Sequence, residues 1–323
     1  MSKVFITGVN GFIASHICKK CLLEGFEVIG LCRDLKKVAF SHKNLTIITG
    51  DILDIEVLEK AMFDCKIVIH VAALGSHLNI SKELLWRTNV EGTENLLKIA
   101  KKKKIEKFIF ISSMAVYGLN YNLIIDETAE TPLINETYTD SKITAEKITQ
   151  SYGIPYIIIR AGCIYGPRGD RWTIGIIKHL KAGIKMLGKE DGLINLGFIN
   201  NFVDGVWLSL KNENVKNEIF NISDGIKITY NDYYLAYANM LGMNDLPRIP
   251  DWWIKFKMHP FIEFLKRIFK KNVSSKHGQY LRFTKSSFSI EKAKKLLNYN
   301  PSINFEEGIR ITEEWLRENY YLE

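Results

Sequence analysis

The sequence predicts an α/β protein: a doubly wound parallel sheet carrying a smaller, mostly helical C-terminal substrate domain. Three observations predict it. Short apolar segments recur through the first half at Val4–Thr7, Val28–Cys32, Thr46–Thr49, Ile67–His70, Phe108–Ile111 and Tyr156–Ile159, with helical patterns between them, notably Leu84–Ala100 and Tyr138–Tyr152. Strands this apolar need cover on both faces, which a parallel sheet between two helix layers provides. A glycine turn follows the first segment directly. After Pro167 the alternation fades into helical stretches at Trp172–Ala182, Tyr233–Leu241, Ile290–Leu297 and Phe305–Asn319, with one further strand at Ile219–Ile222. Residues 1–167 with 201–224 therefore read as the sheet domain, and 168–200 with 225–323 as a substrate domain over the strand ends.

Composition narrows the class. With 46% hydrophobic and 25% charged residues, the 323-residue chain reads as an ordinary globular protein able to bury a large core. The net charge of +8 comes from dispersed lysines. The run Lys101–Lys104 falls between a helical pattern and a strand, where cations meet the negative pole of a helix, so no nucleic-acid partner is expected. Five cysteines without framework spacing point to a reducing compartment. Cys18 and Cys21 form a C-x-x-C inside the helix predicted after the glycine turn; no second Cys or His pair completes a zinc site, and the histidines lack H-x-x-x-H spacing, so no metal is expected. The N-terminus leads straight into a strand, and no apolar run approaches the roughly 20 residues of a membrane span, so the expected location is cytoplasmic.

The turn Gly8-Val9-Asn10-Gly11-Phe12-Ile13-Ala14 sits between strand and helix. Gly8 and Gly11 let the backbone turn tightly and approach a pyrophosphate, which rests on the N–H groups of Phe12, Ile13 and the helix start; Ala14 permits close helix–strand packing. The next strand ends in Cys32-Arg33-Asp34. The planar fork of Arg33 suits an adenosine 2′-phosphate, so NADP is the preferred cofactor, while Asp34 leaves NAD open. Further on, Tyr138 and Lys142 lie four apart, on one helix face, and Ser112-Ser113 end a predicted strand. A phenol beside an ammonium is a candidate acid/base at neutral pH.

These residues, together with Gly50-Asp51-Ile52, His70-Val71-Ala72-Ala73, Asn89-Val90-Glu91-Gly92-Thr93, Val116-Tyr117-Gly118, Arg160 to Pro167, Phe202-Val203-Asp204 and Lys292 to Pro301, resemble the extended short-chain dehydrogenase/reductase family, also called the NAD-dependent epimerase/dehydratase family. The resemblance runs in order along nearly the whole chain and implies an NAD(P)-binding Rossmann fold. It implies Tyr138 as general acid/base, Lys142 binding the nicotinamide ribose and lowering the Tyr138 pKa, and Ser113 polarising the substrate oxygen. It places Asp51 and Ile52 at the adenine end, Ala72, Ala73 and Ile164 along the cofactor, and Asn89 on a structural water or the cofactor backbone. It also implies a homodimer through Leu84–Ala100 and Tyr138–Tyr152.

Within the family, Ser113-Met114-Ala115 lacks the acidic residue of the 4,6-dehydratase branch, and Cys163 stands where 4-epimerases carry an Asn that touches the substrate diphosphate. The run from Arg160 to Arg171 and the insertion between Pro247 and Phe288 are closer to the hydroxysteroid-dehydrogenase and dihydroflavonol-reductase-like branch. In that insertion Phe261, Phe264, Leu265, Ile268 and Phe269 share a helix face opposite Glu263, Lys266, Arg267, Lys270 and Lys271, preceded by Trp252, Trp253 and Phe256. That face suits a core helix of the substrate domain, an apolar lid or a membrane-surface contact. Three functions stay in play: hydride transfer on a hydrophobic ketone or alcohol, nucleotide-sugar 4-epimerisation with tightly bound NAD, for which Arg168 and Arg171 could grip a diphosphate, and a non-catalytic dinucleotide sensor.

Overall fold

The computed structural model describes residues 2–118, 123–187, 190–249 and 281–323. The amphipathic segment expected at 252–271 lies outside them. Seven strands, β1 (Lys3–Thr7), β2 (Glu27–Cys32), β3 (Leu45–Thr49), β4 (Ile67–His70), β5 (Lys107–Ser113), β6 (Tyr156–Ala161) and β7 (Glu218–Ile222), form one parallel sheet in the order β7-β6-β5-β4-β1-β2-β3. The order reverses between β1 and β4, which opens a crevice at the carboxyl ends of those strands. Each strand expected from the sequence is present, and β5 runs on to Ser113, pairing Ser112 and Ser113 with Arg160 and Ala161 of β6.

Ten helices are described: α1 (Phe12–Leu23), α2 (Ile55–Ala61), α3 (Lys82–Trp86), α4 (Gly92–Lys102), α5 (Thr137–Ser151), α6 (Gly175–Lys181), α7 (Ile199–Lys211), α8 (Tyr230–Met240), α9 (Glu291–Leu297) and α10 (Phe305–Glu318). Side-chain alternation along the strands sorts them into layers. Val4, Ile6, Ile109 and Ile157 face α1 and α7, whereas Phe5, Phe108, Phe110 and Ile158 face α2, α4 and α5. Cys18 and Cys21 sit in the first layer as buried helix residues, and burial pushes both thiols up to about 12. α7 was legible only as a short motif, although Ile199, Phe202, Val203, Val206 and Leu210 recur at helical spacing.

The single helix expected over Leu84–Ala100 is interrupted. A π-helical turn, Arg87–Glu91, separates α3 from α4 and brings Asn89 into the interior at 2% exposure. Beyond β6 the chain makes short strand pairs, Cys163–Tyr165 with Leu196–Phe198 and Leu193–Ile194 with Ile228–Thr229. Tyr165, Tyr233 and Tyr237 meet edge to face and fasten α8 onto them.

α5 is anchored from behind by a buried ion pair. Arg160 of β6 donates from Nη2 to Glu146 Oε2 at 2.8 Å and from Nε to Oε1 at 3.1 Å, and from Nη1 to the Tyr117 hydroxyl at 2.9 Å. Tyr117 in turn donates to Asn221 Oδ1 at 2.7 Å. The two charged side chains are 4% and 2% exposed, so removing one leaves the other stranded. Glu146→Leu should cost about 3–5 kcal/mol in urea unfolding, and Glu146→Leu with Arg160→Met should recover most of that loss. Equal losses in the single and double variants would contradict this.

Candidate active site

A cleft of ≈ 900 Å³ lies at the carboxyl ends of β1, β2, β4, β5 and β6. Its floor is the glycine turn. Gly8 has φ +71°, and a Cβ there would sit 3.2 Å from Ala72 Cα; a Cβ on Gly11 would sit 3.1 Å from Gly8 O. Gly8 and Val9 N–H donate to Leu31 O at 2.8 and 3.1 Å, holding the turn over β2. No side chain caps α1, so the N-terminal end of this helix, with Phe12 and Ile13 on the wall, offers its N–H groups and positive pole to the cleft.

The cleft runs on past Arg33, Asp34, Asp51 and Ile52. Asp34 is occupied locally: Oδ1 accepts from Lys36 N–H at 3.0 Å and Oδ2 lies 3.7 Å from Lys37 Nζ. Arg33 is exposed on the wall. Asp51 Oδ1 accepts from Leu53 N–H at 3.0 Å, fixing the turn that presents Ile52. Ala72, Ala73 and Ile164 line the cleft. Asn89 does not. It is buried behind the wall, where Oδ1 accepts from Leu74 N–H at 2.8 Å and Nδ2 donates to Leu74 O at 3.0 Å and Ser141 Oγ at 3.1 Å. Its three bonds are spent on protein groups, which leaves it a clamp on the Leu74 loop rather than a wall residue.

Asn89 belongs to a longer chain of buried groups. Thr7 Oγ1 accepts from Val71 and Ala72 N–H, both at 3.0 Å, so its own proton goes to His70 Nδ1 at 2.9 Å. Thr93 donates to Asn89 O at 2.6 Å, so it accepts from His70 Nε2 at 2.9 Å. His70 is therefore the neutral Nε2–H tautomer, and burial drives its pKa down to about 3. From Asn89 the chain passes to Ser141, which donates to Tyr138 O at 2.7 Å. The glycine turn and the tyrosine helix are thus joined through one imidazole.

Tyr138, Ser113 and Lys142 all line the cleft. The α5 N-terminus is set by Glu136, which accepts from Thr139 N–H at 2.7 Å, and by Asp140 Oδ1, which accepts from Ile134 N–H at 2.9 Å. Ser113 Oγ accepts from Ala115 N–H at 3.1 Å. Lys142 Nζ donates to Ile111 O at 2.8 Å and lies 4.8 Å from the Phe110 ring centroid. Burial lowers Lys142 to about 8, against the pull of Glu146. The Tyr138 pKa departs from the expectation that Lys142 depresses it. Burial raises the phenol, the Ser113 side chain and the Arg171 charge offset this in part, and the Lys142 ammonium is turned to the Ile111 carbonyl.

The opposite wall carries Arg171, Trp172, Tyr230 and Arg282, with the Cys163 thiol, which burial raises to about 12. Tyr230 and Arg282 lie far from any motif and gave no sequence signal. The two arginines expected to act together part company: Arg168 donates to Ser15 Oγ on α1 at 3.2 Å, away from the wall, and Arg171 alone faces the cleft.

A profile described as the NAD dependent epimerase/dehydratase family matches residues 4–223. Sterol-4-alpha-carboxylate 3-dehydrogenase, decarboxylating, of Schizosaccharomyces pombe is 27% identical over 98% of this chain and 98% of its own length. UDP-glucuronate 4-epimerase of Thermodesulfobacterium geofontis is 27% identical over 100% and 98%. Among solved structures, UDP-glucuronic acid 4-epimerase from Bacillus cereus, in complex with NAD, matches with a TM-score of 0.79 at 22% identity, covering 98% of this chain and 99% of that one. That likeness is one of fold.

The His70 chain has a pH signature. Its folded pKa lies below the ordinary value of 6.5, so as pH falls from 6.5 toward 3 the unfolded chain binds a proton that the folded chain refuses, and stability is lost. Between pH 6.5 and pH 5 the wild type should lose about 1.5 kcal/mol more than His70→Asn in urea unfolding. Parallel pH dependences would contradict the buried neutral imidazole.

Proposed function

The chain belongs to the NAD-dependent epimerase/dehydratase family, and on that premise we propose that it is an oxidoreductase, NADP-linked, moving hydride between nicotinamide and a hydroxy or keto substrate. One observation carries this reading: the Tyr138, Ser113 and Lys142 side chains line one cleft, whose floor is a glycine turn at a helix N-terminus.

The residues fit a nicotinamide dinucleotide. Gly8 and Gly11 line the cleft with bare backbone, and the uncapped start of α1 suits a pyrophosphate. The Ser112 hydroxyl, also on the cleft wall, is buried without a hydrogen-bond partner among the described residues. Bound there, the dinucleotide supplies the hydride donor or acceptor. Arg33, on the wall beside an Asp34 already engaged by Lys36 and Lys37, suits a 2′-phosphate.

The protein's own groups handle the proton. A Tyr138 pKa above its ordinary value keeps the phenol protonated at neutral pH, so Oη gives a proton to a carbonyl oxygen as that oxygen gains charge. Ser113 Oγ orients and polarises the same oxygen. Lys142 near 8 is mostly an ammonium at pH 7, and after its bond to Ile111 O it retains two N–H groups for ribose hydroxyls. The direction favoured is reduction. Epimerisation of a nucleotide sugar is the second reading, favoured by the Arg171 charge on the substrate wall.

Incubation with NADPH or NADH and a carbonyl panel separates them: a reductase consumes cofactor stoichiometrically, whereas an epimerase needs none added. Tyr138→Phe should lower turnover by about 10²–10⁴-fold while dinucleotide binding persists. Arg33→Ala should weaken NADP binding roughly tenfold or more and leave NAD binding nearly unchanged. An unaltered preference between the two cofactors would overturn the NADP assignment.

A further inference from the structure

Two guanidinium groups stand on the substrate side of the cleft, and their surroundings differ. Arg282 donates to the buried carboxylate of Glu190 at 2.8 Å, so its charge is met within the protein. Arg171 has no carboxylate within ion-pairing distance among the described residues. The acid next to it in sequence, Asp170, turns to His77 instead, with Nε2 to Oδ2 at 3.5 Å. Two contacts hold the Arg171 guanidinium without neutralising it. Nη1 donates to Ser76 Oγ at 3.4 Å, and the group lies 5.1 Å from the centroid of the Trp172 ring. Its neighbours on the wall, Tyr138, Tyr230 and the Cys163 thiol, are uncharged at neutral pH, and the Arg171 charge lowers all three against the opposing effect of burial.

We infer that Arg171 is the receptor for a carboxylate that the substrate carries close to the carbon bearing the reacting oxygen, so that the substrate class is a hydroxy acid or a keto acid. The inference deepens the reading of Tyr138 as the group that meets the reacting oxygen and rests on it. A planar guanidinium fork matches the two oxygens of a carboxylate. A diphosphate carries more charge and calls for a second unmet cation on this side, which Arg282, tied to Glu190, does not provide. Arg168 provides none either, since it turns to Ser15 on α1 and does not line the cleft. Stacking on Trp172 keeps the fork in place before an anion arrives, which lowers the ordering cost of binding.

The test is calorimetric titration of the NADP-loaded protein with matched pairs: 3-hydroxyoctanoate against octan-3-ol, 2-hydroxycyclohexanecarboxylate against cyclohexanol, and 3-hydroxybutyl phosphate as a phosphate arm. At least one acid should bind about tenfold or more tighter than its neutral partner. Arg171→Gln should erase that preference, and Arg171→Lys should keep part of it. No acid preference in any pair, a preference that survives Arg171→Gln, or tighter binding of the phosphate overturns the carboxylate receptor. Acids that bind through Arg171 while NADPH is never consumed with 3-oxo acids would sink hydride transfer and leave the receptor standing. Consumption of NADPH with neutral ketones alone would do the reverse.

Discussion

The spacing between the glycine turn and the tyrosine helix is set by a hydrogen-bonded chain through the buried ring of His70. Each donor in that chain is used and each acceptor filled: Thr7 takes two loop N–H groups, His70 bridges Thr7 to Thr93, and Asn89 passes the contact to Ser141 and so to the Tyr138 carbonyl. Such a chain tolerates neither a charged imidazole nor the opposite tautomer, because either would set two donors against each other or leave a buried acceptor empty. Both sides of the cleft therefore inherit their relative position from one neutral ring.

The rest of the molecule keeps α5 where that chain needs it. Arg160 grips Glu146 one turn beyond Lys142, on the side of α5 facing β6, and the π-helical turn before α4 brings Asn89 inward between the Leu74 loop and α5. The same burial that rigidifies the site tunes it. It lowers the Lys142 ammonium and raises the Tyr138 phenol, so the phenol stays protonated at neutral pH. The expectation of a phenolate stabilised by Lys142 treated the two side chains as a pair on one helix face. In the fold the ammonium finds the Ile111 carbonyl, which no helical spacing could reveal.

Local pattern was legible and long-range pairing was not. The seven strands, the glycine turn and the Tyr138, Lys142 and Ser113 set could be read because each depends on periodicity or on a strand–turn–helix junction within a short stretch. The break at Arg87–Glu91 could not, since it is imposed by what Asn89 reaches across the fold. Arg168 and Arg171 are three residues apart and looked equivalent, yet one turns to α1 and the other to the cleft. Arg282 and Tyr230 join the wall from distant elements, and their part in the site is a property of tertiary packing alone.

A crystal structure of the protein grown with NADP addresses the central claim most directly. The pyrophosphate should lie on the first turn of α1, with the nicotinamide beside the Tyr138 and Ser113 hydroxyls and the adenosine 2′-phosphate against Arg33. A dinucleotide seated elsewhere, or a nicotinamide out of hydrogen-bonding neighbourhood of Tyr138, would contradict the account.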